Sequence, residues 1–192
     1  MKITQLKKED KLMKHKPIIC VSAGHNPKGK IACGASDYLD ESTEARWMTK
    51  EVIKLLKKAG IKTKNCTYNN GKNQKDVLEK ICKASNSTPA DLTVSIHFNS
   101  HAHEAKSNGE TVGTEVLVLS DEGIKHNVSK AVCNRISKLG FANRGIKVRD
   151  DLYFLRHTSA PAILIEVCFV SDVDDARLYK KKKKEIAKSE IH

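Results

Sequence analysis

The sequence predicts an α/β domain with a mixed sheet covered by helices, and three observations support this. Short apolar runs alternate with longer stretches whose apolar residues recur at helical spacing. These segments follow one another as β, α, β, α, β, β, α, β, β, α. Clusters of Gly, Asn and Pro separate them, and no linker divides residues 17–192. The expectation is one domain whose twisted sheet has about six strands, with helices on both faces.

Residues 1–16 are polar and basic without a clear period and read as a tail. The run 18–23 is compactly apolar and ends in Ala23 and Gly24, which marks a buried strand entering a loop. The loop spans 24–40. A helix follows, with Ala45, Met48, Val52, Leu55, Leu56 and Ala59 on one face. Asp40 or Ser42 can cap its start, and Gly60 ends it. Residues 61–68 read as a strand, Asn69-Asn70-Gly71 as a turn, and Asn73 as the cap of a helix carrying Val77, Leu78, Ile81 and Cys82. Further strands are expected at 92–98, 113–119, 152–155 and 162–167. A third helix carries Ile124, Val128, Ala131, Val132 and Leu139, and a basic helix closes the chain from about 173 to 186.

Composition excludes several classes. A chain of 192 residues that is 39% hydrophobic and 30% charged is not disordered as a whole. At this length roughly 70% of the unfolded surface can be buried, so no staples are needed. No apolar run reaches the roughly 20 residues of a membrane span, and the first apolar stretch lacks a signal-peptide layout. The net charge of +12 attracts polyanions such as nucleic acid or anionic cell-wall polymer. Aromatics are few (four Phe, four Tyr, one Trp) and do not alternate with Arg, so a base-stacking nucleic-acid surface has little support. The six cysteines fall singly, mostly in apolar runs, as buried free thiols of a reducing compartment do.

In such a sheet, ligands gather beyond the strand ends. Four polar groups fall there: Gly24-His25-Asn26, Asp40-Glu41, Ser95-Ile96-His97-Phe98-Asn99, and Glu166 within a very apolar run. Two imidazoles and a carboxylate make a three-ligand zinc site with an open position for water. A second carboxylate beside it can take a proton from that water and pass it to a leaving amine. The separations of His25, Glu41, His97 and Glu166 are 16, 56 and 69 residues, which match no compact motif.

The segments as a series are more specific. Ile18-Ile19-Cys20-Val21-Ser22-Ala23-Gly24-His25-Asn26, Glu41 before a long helix, Val94-Ser95-Ile96-His97-Phe98-Asn99, and the closing block Leu152 to Arg156 and Pro161 to Ser171 occur in this order. In this the chain resembles the zinc-dependent N-acetylmuramoyl-L-alanine amidases, the amidase-3 family of bacterial autolysins, sporulation amidases and phage endolysins. The resemblance covers residues 17 to about 189. It implies a mixed sheet with helices on both faces and one zinc held by His25, Glu41 and His97. It further implies Glu166 as general base and acid, and cleavage of the amide between N-acetylmuramic acid and L-alanine of the stem peptide. The partner implied is peptidoglycan. The protein is then made in the cytoplasm without a signal peptide and reaches the wall through lysis or a holin-type route. Two positions depart from the common pattern: Ala45, where many members have Asn, and Asp172, where many also have Asn.

Several residues carry a plainer reading. Glu44 competes with Glu41 by spacing, and the resemblance selects Glu41. His101 and His103 form a short His tract but sit in a polar loop and read as exposed. Glu115 near a strand start reads as surface, and Cys33 as a loop thiol. Asn99 and Arg156 are candidates for substrate contact. The block Lys180 to Lys184 reads as the wet face of the last helix, with attraction to anionic wall polymer as its second role.

Overall fold

The central strands β1 (Ile18–Ala23), β3 (Leu92–Asn99) and β6 (Ala162–Phe169) lie side by side and parallel. Both of their faces are covered, which is why they read as nearly continuous apolar runs. The computed structural model describes residues 16–189, so the tail read over 1–16 lies, Lys16 apart, outside the described residues. The remaining strands are β2 (Lys62–Asn65), β4 (Thr114–Val118) and β5 (Asn143–Val148). The sheet order is β2-β1-β3-β6-β4-β5. β2 is parallel to β1, β4 is antiparallel to β6, and β5 is parallel to β4, so the sheet is mixed.

Strand periodicity sorts the side chains onto two faces. Ile163, Ile165, Val116 and Val118 share one cluster with Met48, Val52 and Leu56 of α1 (Glu41–Lys58), Val132 and Ile136 of α3 (Gly123–Ser137), and Tyr179 and Ile186 of α5 (Val173–Ser189). Ala162, Leu164 and Leu117, one residue out of phase, share the other with Val77 and Ile81 of α2 (Gln74–Asn86) and Phe154 and Leu155 of α4 (Tyr153–His157). Helices thus cover both faces. Ile163 and Ile165 are at most 1% exposed, so truncating either to Ala costs roughly 2–5 kcal/mol. Asp40 caps α1 by accepting the Thr43 N–H at 2.9 Å, and Asn73 caps α2 by accepting the Asp76 N–H at 2.9 Å. No helix among the described residues is long and apolar enough to cross a membrane.

Two elements differ from the sequence expectation. The run 152–155, expected as a strand, opens the short helix α4. Its Phe154 and Leu155 are buried under α2, a contact that four apolar residues in a row do not encode by period. Strand β5 was not expected at all. It is an edge strand, mostly exposed and polar, and Gly145 within it has φ +75. It is held by parallel pairing to β4, not by an apolar pattern.

Candidate active site

β1, β3 and β6 run parallel, so their C-terminal ends meet at one edge of the sheet. β4 runs the other way and brings its first residues to that same edge. This places His25 just after β1, His97 and Asn99 at the end of β3, Glu166 late in β6, and Glu115 at the start of β4. In register, Glu166 lies between His97 on one side and Glu115 on the other.

Glu41 is the first residue of α1 and is fixed by the Asp40 cap beside it. His25 Nε2 lies 3.2 Å and His97 Nδ1 lies 3.1 Å from the same oxygen, Glu41 Oε1. The two imidazoles meet edge to face with centroids 4.9 Å apart. Glu41 is held further by the N–H groups of Ala35 (to Oε2, 2.9 Å) and Phe98 (to Oε1, 3.2 Å). Burial alone would raise the proton affinity of Glu41. The hydrogen bonds to His25 and His97 outweigh it and hold the carboxyl below the usual carboxylate range.

The surroundings are shaped to this trio. His97 Nε2 lies 3.1 Å from Ser95 Oγ, which fixes the ring so that Nδ1 faces Glu41. A Cβ on Gly24 would fall 2.0 Å from His97 Cε1. A Cβ on Gly34 would fall 2.4 Å from Glu41 Oε2, and Gly34 also has φ +80, which side chains rarely adopt. His25 itself has φ +61, a conformation that its loop must enforce. Arg46 does so by donating to the carbonyls of Gly24 (3.3 Å) and His25 (2.7 Å). Asn26, fully buried, ties the same loop to Gly71 by donating to its carbonyl and accepting its N–H. The ligand atoms of His25, Glu41 and His97 lie within 4.8 Å of one another. Two imidazole nitrogens and a carboxylate, in a cradle that two glycines keep open, fit a divalent cation.

A cleft of about 400 Å³ opens beside the trio. Its polar part includes His25, His97, Asn99, Glu115, Glu166 and Arg149, the last paired with Asp151 at 2.7 Å, and Val77, Leu78, Leu117 and Tyr153 are in its apolar part. Glu166 Oε2 is buried without a hydrogen-bond partner among the described residues. Its burial, then the negative charges of Glu41 and Glu115, push Glu166 well above the usual carboxyl range, while Arg149 opposes them. Asn99 donates to Glu115 Oε1 at 2.9 Å, and Arg144 donates to Glu115 Oε2 at 2.8 Å.

The structure brings His25, Glu41, His97, Glu166 and Asn99 to one place. Arg156 is exposed on α4 and does not line the cleft; the arginine that does is Arg149. Glu44 faces α5, where its Oε2 accepts from Tyr179 Oη at 2.7 Å and pairs with Lys183 at 3.5 Å. Glu115, expected at the surface, is buried in the cleft wall because antiparallel pairing carries a strand start to the site. Arg46 is a positioning residue that nothing in the sequence pattern marks.

The fold and the trio define a class, an α/β domain with a His/Glu/His cation cradle at its strand ends. The family model described as N-acetylmuramoyl-L-alanine amidase matches residues 19–191, and the chain belongs to that family. An uncharacterized protein of Clostridium perfringens (strain 13 / Type A) is 34% identical over 165 residues, 85% of this chain and 47% of that protein. The endolysin of Bacillus phage SPP1 is 34% identical over 115 residues, 55% of this chain and 38% of the endolysin. The chain spans about half the length of the two Clostridium perfringens relatives it matches, 47% and 46%. Among solved structures, the catalytic domain of the CD27L endolysin targeting Clostridia difficile superposes with TM-score 0.78 at 26% identity, covering 91% of this chain and 94% of that one. AmiC2 of Nostoc punctiforme, an N-acetylmuramoyl-L-alanine amidase, shares the fold with TM-score 0.75 at 22% identity, covering 92% and 94%.

Proposed function

We propose that this chain hydrolyses the amide between N-acetylmuramic acid and L-alanine of peptidoglycan, with zinc held by His25, Glu41 and His97. The observation that carries the reading is Glu166. A buried carboxyl of raised proton affinity faces the same cleft as the trio and sits beside His97 in register. Zinc bound there supplies a Lewis acid that polarises the scissile carbonyl and acidifies a water. Glu166 takes the proton of the attacking water and delivers it to the departing L-alanine nitrogen. Its raised affinity suits both halves of that transfer, because the proton must be held and then released. Asn99 and Arg149 offer polar contacts to the stem peptide, and Leu78, Leu117 and Tyr153 give it an apolar wall. The net charge of +12 draws the enzyme to the anionic wall.

A second reading, a zinc exopeptidase or deacetylase on a related sheet, differs in its products. Purified peptidoglycan is digested and the fragments analysed by mass spectrometry. New free L-alanine amino groups with intact glycan are expected. Trimmed peptides or released acetate without that amine would overturn the amidase reading.

A further inference from the structure

Apart from the trio, the described residues hold a second group of ligating side chains. His101, Glu104 and Asp172 offer ligand atoms within 4.8 Å of one another. Backbone ties bring them together. The His101 N–H donates to Ser171 Oγ at 2.9 Å, and the Glu104 N–H donates to the Ser171 carbonyl at 3.1 Å. Asp172 opens α5, and its Oδ1 accepts the Asp175 N–H at 2.7 Å. Its other oxygen, Oδ2, is buried and has no hydrogen-bond partner among the described residues; the residue is 0% exposed. A buried carboxylate oxygen without a donor is strongly disfavoured. The Glu104 carboxyl is the acidic neighbour of Asp172 in this cluster. Something positive belongs between them, either a cation or a shared proton.

A third donor, the His101 imidazole, stands beside the two carboxyls. His101 Nδ1 is hydrogen-bonded to the Ala102 carbonyl, which can only accept, so Nδ1 carries the proton. The Nε2 lone pair is then free for a metal, the arrangement by which a carbonyl orients a ligating histidine. The ring is also seated against Phe169, with centroids 5.1 Å apart. A shared proton needs only the two carboxyls, whereas a cation is served by all three groups, and zinc content separates the two. We propose that His101, Glu104 and Asp172 form a second divalent-cation site, of the zinc class, that staples the loop after β3 to the start of α5. Tetrahedral zinc spaces its ligands by roughly 3.4 Å. Asp172 is the fixed member, and the more exposed Glu104 and His101 rotate to close on the ion.

The test is zinc content by atomic emission after the full chain is stripped and dialysed against micromolar zinc. Wild type is expected to hold about two zinc per chain, and Glu104→Gln or His101→Ala about one. His97→Ala is expected to lose the other zinc and keep this one. A His97→Ala variant that holds no zinc, or a Glu104→Gln variant that keeps as much zinc as wild type, would overturn the proposal. Thermal unfolding gives an independent readout. Zinc is expected to raise the midpoint of His97→Ala and not that of the His97→Ala/Glu104→Gln double variant. Equal midpoint shifts in the two would show that no cation staples this loop.

Discussion

Glu41 Oε1 serves both imidazoles at once, so the trio stands or falls as a unit, whereas Glu166 stands beside it without touching the Glu41 oxygens through any hydrogen bond described. In the proposed reaction this difference separates ligand from base. Glu166→Gln keeps the shape of the side chain and removes its proton chemistry. It is expected to fold, retain about one zinc in the trio, and lose turnover by a factor on the order of 10²–10⁴. His97→Ala is expected to lose that zinc, because two protein ligands rarely hold it. Zinc content and turnover measured on both variants check this, and loss of the trio's zinc from folded Glu166→Gln would make Glu166 a ligand. Ser95 acts one step back. Its hydroxyl holds His97 Nε2 at 3.1 Å, so Ser95→Ala is expected to weaken zinc affinity roughly 10–100-fold, read by competition with a chelating dye.

Among the elements, the start of α5 is the joint that binds the site's strands from behind. Asp175 accepts the Phe169 N–H of β6 at 2.8 Å and the Gly113 N–H before β4 at 3.1 Å, and so couples the two strands that carry Glu166 and Glu115. Its burial pushes the carboxyl from 3.8 up to about 6; those two N–H groups oppose the rise and the neighbouring Asp172 adds to it. The proton is therefore held more tightly in the folded chain than in the unfolded one. Stability from this residue is full below pH 3.8, falls as pH rises, and levels off above about 6, a change of up to about 3 kcal/mol. Asp175→Asn can still accept both N–H groups through one oxygen and does not ionise. Urea unfolding of the two proteins in chelator is expected to show the variant gaining stability relative to wild type between about pH 4 and 6. A difference that is flat across that range would show that Asp175 does not titrate there.

The chain carries a net charge of +12, and among the described residues many lysines are exposed away from the cleft, whose polar lining mixes both signs. The last helix shows how these lysines are placed. Lys180, Lys181 and Lys184 are exposed, while Lys183 is half-buried over the Trp47 ring at 4.4 Å and pairs with Glu44. Such a field acts on encounter with an anionic partner rather than on chemistry in the cleft. Binding to purified walls is expected to fall as salt rises, since screening shortens the reach of charge to roughly 8–10 Å. Turnover on a small soluble muropeptide is expected to change much less. Sedimentation of the protein with walls across a salt series measures the first, and binding that ignores salt would show that the charge is incidental.

The sequence by itself determined the α/β class, the three buried strands, the cap Asn73, a first cap narrowed to Asp40 or Ser42, and the series of segments carrying His25, Glu41, His97 and Glu166. These are legible because apolar periodicity and capping are local, and because each of those residues lies within or beside a strong element. Only the tertiary structure decided what depends on pairing. β5 is held by its neighbour and not by its own pattern, and α4 takes its form from burial under α2. Glu115 reads as surface until antiparallel pairing with β6 carries the start of β4 to the same edge as the ends of β1, β3 and β6. Glu44 and Glu41, three residues apart on one helix, diverge because one meets Tyr179 of α5 and the other the two imidazoles. Arg46 and Asp172 gain their roles from backbone and side chains far along the chain, where sequence spacing carries no information about distance.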